Sequence, residues 1–117
     1  MASSENRRDD SPGRMQYVGF CRVCGGGAIG VRLCGRCGDL SLVCDECGAL
    51  WTDARLGGPP SMHLVDEAPC PSCGHSLWEA PSRWATRGQV FAMGWLARAI
   101  EDGVVTLREG AAFGPGE

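Results

Sequence analysis

All eight cysteines of this 117-residue chain fall in four pairs of one form: Cys21/Cys24, Cys34/Cys37, Cys44/Cys47 and Cys70/Cys73. Each pair encloses two residues and is followed at once by glycine, at Gly25, Gly38, Gly48 and Gly74. A Cys-x-x-Cys turn aims both thiolates at one ion, and the glycine lets the backbone close around the sulfurs with positive φ. Two such knuckles complete a tetrahedral Cys₄ site. Four knuckles therefore predict two structural Zn²⁺ ions with all eight cysteines as ligands.

The rest of the composition makes such staples necessary. Eighteen glycines, seven prolines and a set of large aromatics limited to four Trp, three Phe and one Tyr leave little apolar surface to offset chain entropy. A structural zinc supplies on the order of 10–16 kcal/mol of apparent binding energy, more than so thin a core. Disulfides are the rival staple. Residues 1–16 contain no apolar signal-peptide segment and no run elsewhere is long enough to span a bilayer, so a reducing, cytoplasmic setting with no membrane partner is expected. The formal charge is −3; eight thiolates and two divalent ions would bring it to about −7.

Along the chain, residues 1–16 mix arginines and acids without apolar periodicity and read as a disordered tail. A double zinc-ribbon module follows over 17–79. Tyr17 to Phe20 is read as the strand delivering the first ligands, Gly25 to Leu33 as a tight hairpin, and Leu40 to Val43 as a short strand. The 22 residues between Cys47 and Cys70 are expected to form a loop around Gly57-Gly58-Pro59-Pro60, between strands near Ala54–Leu56 and Met62–Val65. Over 80–109, Thr86-Arg87-Gly88-Gln89 has the form of a capping box, predicting one helix from Arg87 to a stop at Asp102-Gly103. Val104 to Leu107 would add a short strand, and Gly110 to Glu117 a tail. The expected fold is thus a small metal-stapled α+β unit, two Cys₄ zinc sites on short β-hairpins followed by one C-terminal α-helix.

Three pairings of the knuckles are open: sequential (one with two, three with four), cross-brace (one with three, two with four) and nested (one with four, two with three). Loop closure favours the sequential pairing, ahead of the cross-brace and then the nested one. The third and fourth knuckles also echo each other, both running from Cys-Gly into Leu-Trp at Leu50-Trp51 and Leu77-Trp78. The echo favours Cys44, Cys47, Cys70 and Cys73 sharing one zinc.

On these residues the chain resembles the zinc-ribbon superfamily, particularly small bacterial ribbon proteins and transcription-factor-type zinc fingers with a Cys-x-x-Cys-Gly…Cys-x-x-Cys-Gly-x-x-Trp-x-Asp pattern. Cys34 to Asp53 is the matching stretch. The spacing between knuckles is more weakly similar to cross-brace fingers of the FYVE and RING types. The resemblance implies a metal-bound scaffold and leaves its task to be argued from the surface.

Three functions are open to such a chain. The first is a non-enzymatic interaction or adaptor module in which zinc fixes a platform and Phe91 and Trp95 of the helix, or the Trp51/Trp78 pair, engage a protein partner. The same tryptophans could equally be building the core. The alternative is a nucleic-acid-binding ribbon of the transcription or translation apparatus, with Arg22, Arg32 and Arg36 on phosphate, against an acidic background. Catalysis is not expected. A catalytic zinc keeps an open position, whereas eight cysteines fill two sites, and His63 and His75 belong to no nucleophile or paired-carboxylate arrangement. Oligomeric state and partner identity have no signature in the sequence.

Overall fold

The computed structural model describes residues 14–56, 58–63 and 68–111. Residues 1–13 of the tail expected over 1–16, Leu64-Val65 of an expected strand, and residues 112–117 of the tail expected over 110–117 lie outside these residues. The strands are β1 (Arg14–Phe20), β2 (Ala28–Leu33), β3 (Leu40–Cys44), β4 (Ala49–Trp51), β5 (Met62–His63), β6 (Arg83–Trp84) and β7 (Arg108–Ala111). The helices are α1 (Arg87–Ala92) and α2 (Gly94–Glu101). The strands form one antiparallel sheet in the order β5-β4-β3-β2-β1-β7, with β6 pairing the end of β2.

From β1 to β4 the sheet is a meander, and its three turns are the first three knuckles. Phe20 faces Ala28 across the first turn, Leu33 faces Leu40 across the second, and Val43 faces Leu50 across the third. Antiparallel strands reverse at every turn. The first and third knuckles therefore stand at one end of the sheet, and the second stands at the other.

Both faces of the sheet are covered. On one face Val18, Ile29, Val31, Leu40, Leu42 and Trp51 pack with Val90 of α1, Leu96 and Ala99 of α2, and Val105. On the other, Val43 and Leu50 pack with Ala68, Cys70 and Leu77, while Met15 packs with Trp84. This double burial explains β3. Its Leu-Ser-Leu-Val pattern reads as a half-exposed strand, yet all five of its residues are buried.

The segment 68–84 that covers the second face has little secondary structure of its own beyond the Pro69–Ser76 bridge and β6. It is fastened by Arg32, which is only 3 % exposed. The guanidinium lies 4.9 Å from the Trp78 ring centre and 4.7 Å from that of Trp84, and Nε donates to the Leu77 carbonyl at 2.6 Å. A second nitrogen donates to the Ser82 carbonyl at 3.4 Å. A desolvated cation–π contact contributes about 2 kcal/mol or more, so this stack is a substantial share of what holds the segment down.

Several expectations are corrected. One helix becomes two, because Met93 leaves the helical region at φ −93°, ψ 110°. The capping box is present as expected: Thr86 Oγ1 accepts from the Gln89 N–H at 3.2 Å and Gln89 Oε1 from the Thr86 N–H at 2.9 Å. The first strand begins at Arg14 within the expected tail, because β7 pairs with Arg14 to Tyr17. The last strand is Arg108–Ala111, reaching into the other expected tail, and Val104 to Leu107 form none. Ala54 to Leu56 is a bend and turn without strand pairing. Trp51 and Trp78 lie on opposite faces of the sheet, and Trp51 is 2 % exposed, so they form no paired surface. No helix among the described residues is long and apolar enough to cross a membrane.

Gly30 is a close approach on the second face: a Cβ there would lie 2.6 Å from the Trp84 ring and 2.8 Å from the Met15 sulfur. Gly30→Ala is expected to destabilise the protein by about 1–3 kcal/mol through overpacking, read as a lowered urea midpoint at unchanged m.

Candidate metal centres

Each knuckle is built by its own backbone. The residue after the second cysteine is a glycine at φ +80°, +83°, +82° and +84° for Gly25, Gly38, Gly48 and Gly74. In three of them its N–H returns to the first cysteine's carbonyl: Gly38 to Cys34 at 2.9 Å, Gly48 to Cys44 at 3.3 Å and Gly74 to Cys70 at 2.8 Å. Backbone N–H groups also point at sulfur. Cys21 Sγ accepts from Val23 at 3.3 Å, and Cys44 Sγ from Glu46 and Cys47 at 3.4 Å each. Such donors stabilise thiolate over thiol.

The knuckles meet in two clusters. Cys21, Cys24, Cys44 and Cys47 form the first; Cys34, Cys37, Cys70 and Cys73 form the second, and within each the four sulfurs lie within 4.8 Å of one another. Sulfur–sulfur separations are 3.7 Å for Cys21–Cys47, 3.6 Å for Cys24–Cys44, 3.6 Å for Cys34–Cys73 and 3.5 Å for Cys37–Cys70. Four sulfurs placed tetrahedrally at about 2.3 Å from a central ion are about 3.8 Å apart. The donor sets thus fit two metal ions in closed, four-thiolate coordination.

The pairing is the cross-brace, not the sequential arrangement favoured by loop closure. The reason is strand stiffness. A strand of five or six residues holds its two ends about 15–20 Å apart, so neighbouring knuckles in the meander cannot share an ion. Cys34 and Cys44, close in sequence, are separated by the length of β3. The Leu-Trp echo misleads for the same reason. Leu50 and Leu77 do pack in one cluster, but their knuckles serve different ions, as do the two knuckles of the ribbon-like stretch Cys34 to Asp53.

The surroundings of the two centres differ. The first joins two hairpins of the sheet. There Asp45 is buried and its Oδ1 accepts from the Ala28 N–H at 3.1 Å, while its own N–H donates to the Ala28 carbonyl at 3.0 Å. Gly27 leaves the space that the Cys44 sulfur occupies. The second centre joins one hairpin to the strand-poor segment 68–84. Ser72 of the fourth knuckle donates to Asp39 beside the second, and Gly35 packs directly on Pro81.

The free thiols divide sharply in acidity. The Gly26 N–H is the main influence on Cys24 and holds it at about 7. Burial pushes the Cys34 thiol up, but the N–H groups of Cys37 and Arg36 and the adjoining thiols outweigh it and hold Cys34 at about 6. Cys37 goes the other way. The Asp39 N–H favours its thiolate, but burial and the Cys70, Cys34 and Cys73 thiols raise it to about 12. Burial is also the leading cause that raises Cys44 and Cys47. Some thiols in each cluster are therefore protonated at neutral pH until a cation takes their protons' place.

Of the other residues singled out in the sequence, Phe91 is exposed, with the Arg87 guanidinium 5.0 Å from its ring centre, and Trp95 is half-buried at the rim of the first core. Arg22 and Arg36 are exposed, on knuckles at opposite ends of the sheet, and Arg32 is inside. The three arginines do not form one patch. Sequence reasoning missed the internal role of Arg32, since nothing local announces that Trp78 and Trp84 will enclose it.

No family model, curated protein or solved structure matches this chain. The likeness to zinc ribbons rests on the knuckle motifs.

The pairing is testable by counting metals in native mass spectrometry. Cys24→Ser with Cys47→Ser removes two ligands from one centre and should leave one tightly held ion, whereas Cys24→Ser with Cys37→Ser damages both and should leave none. Sequential pairing predicts the reverse. A second measurement is pH titration of metal content. Bound metal depresses the ligands' pKa values, so its stabilisation is present at neutral pH and lost as pH falls and protons reclaim the thiolates. Metal uptake at pH 7.5 should accordingly release protons, and affinity should rise with pH.

Proposed function

We propose that this chain is a structural zinc protein acting as a non-enzymatic protein-interaction module. The observation that carries the reading is the closure of both cysteine clusters: eight sulfurs supply four donors to each ion, leaving no coordination position for substrate or water. Zinc is the natural occupant of a tetrahedral four-thiolate site in this setting, because it needs no redox partner and has no geometric preference to violate. Its contribution is rigidity. Two ions clamp the ends of a sheet whose core is small, and the clamped body presents apolar side chains to solvent, among them Phe91 at 40 % exposure.

Phe91 and the half-buried Trp95 on the helical layer are the proposed contact residues for a protein partner. A partly exposed tryptophan on a rigid helix suits an interface anchor, because little side-chain entropy is lost on docking. The nucleic-acid alternative has less to support it. Arg32 is committed to the tryptophan stack, and the two remaining arginines are a sheet-length apart.

Affinity capture with the zinc-loaded chain tests the reading. A protein retained by the wild type and lost with Phe91→Ser and Trp95→Ala, at two zinc ions per chain in each variant, is the expected result. Identical capture by wild type and variants overturns the role of this face. In a low-salt gel shift, single- and double-stranded DNA and RNA should show no retardation.

A further inference from the structure

A second surface lies beside the first metal centre. The most exposed large apolar side chains of the described residues are Phe20, at 62 %, and Val104, at 59 %. They are not scattered. Both line one groove of about 300 Å³, whose other walls include Val18, Leu56, Val105 and Arg22. Isolated exposed apolar residues are ordinary, but contiguous ones around a concavity mark an interaction site.

The walls are set in place before any ligand arrives. Val104 and Val105 donate their N–H groups to the Ala99 carbonyl at the end of α2, at 2.9 and 3.5 Å. Leu56 seats against Gly19, where a Cβ would come within 3.2 Å of its methyl group. Phe20 leads directly into Cys21, and Arg22 stands inside the first knuckle, so the metal centre fixes one rim. The paired register with β7 stops at Tyr17, so the groove lies along the part of β1 that follows it, Val18 to Phe20.

Arg22 is the only ionisable residue in the lining, is exposed, and has no hydrogen-bond or ion-pair partner among the described residues. A guanidinium at the edge of an apolar groove is matched by one carboxylate beside a bulky apolar side chain. The acidic character of the whole chain disfavours a polyanion, and Arg22, the one charge in the lining itself, suits a ligand with few charges. We infer that the groove between Phe20, Leu56 and Val104 is a docking site for an extended peptide segment that carries one carboxylate next to large apolar side chains, with Arg22 pairing the carboxylate. This rests on the reading of the chain as an interaction module, and places a contact apart from Phe91 and Trp95.

The test uses the full zinc-loaded chain and an array of fluorescein-labelled peptides, Ser-Gly-Glu-X-X-Gly-Ser amide with X drawn from Leu, Ile, Val and Phe, read by polarisation. Saturable binding of at least one member is expected. It should weaken tenfold or more with Phe20→Ser and about fivefold with Arg22→Gln. Replacing the peptide Glu by Gln should produce the Arg22→Gln loss in wild type and no further loss in Arg22→Gln. Phe91→Ser should bind the array unchanged, and each variant should retain two zinc ions. Absence of binding across the array, equal affinity for Glu and Gln peptides, or a dimer in sedimentation that Phe20→Ser dissolves would each overturn the proposal. Loss of this site with Phe91-dependent capture intact would sink the groove alone, leaving the interaction module standing.

Discussion

Everything in this fold depends on two cysteine clusters lying at opposite ends of a short, stiff sheet. Each cluster draws one knuckle from a hairpin turn and closes it against a knuckle from elsewhere, so an ion held there would tie together segments 20 or more residues apart. The first cluster joins neighbouring hairpins. The second joins the β2–β3 turn to the segment that covers the second face. Metal bound at both would spread its binding energy across the fold, which suits a body with so few large apolar residues and a sheet buried on both sides.

Between the ions, packing is governed by where space has been left. Gly27 admits the Cys44 sulfur, Gly30 admits Trp84, and Gly35 admits Pro81. Arg32 completes the second face by a different means: it carries a charge into the interior, sets it against two indoles that meet edge-on, and donates to the carbonyls of Leu77 and Ser82. Lysine in its place would lack the planar surface for both rings. The strap over the second face is therefore held by coordination at one end and by a cation–π stack near the other, with few ladder hydrogen bonds of its own.

The division of labour follows from that arrangement. Side chains that the composition leaves open to either core or interface are sorted by the two-sided burial: Trp51 and Trp84 go inside, Trp78 and Trp95 stay at rims, and Phe20, Phe91 and Val104 face solvent. The solvent-facing ones fall on two surfaces, the helical layer and the groove at the first metal centre.

The eight candidate ligand cysteines, the positive-φ turns, the strands flanking the knuckles and the Thr86 capping box were all legible in the sequence, because each is fixed by contacts within a few residues. Knuckle pairing was legible in principle. Three turns joined by strands of about six residues must alternate ends, but counting loop closure treats those strands as flexible and so ranks the pairings wrongly. Other features belonged to the tertiary structure alone. β7 recruits Arg14 to Tyr17 from an apparent tail, and Arg32 turns inward against Trp78 and Trp84. Each of these depends on a partner more than 40 residues away, and no local pattern encodes that. The chain by itself determined that eight cysteines in four knuckles could supply two four-thiolate sites; only the assembled sheet decided which cysteines meet, because strand length sets what can come together.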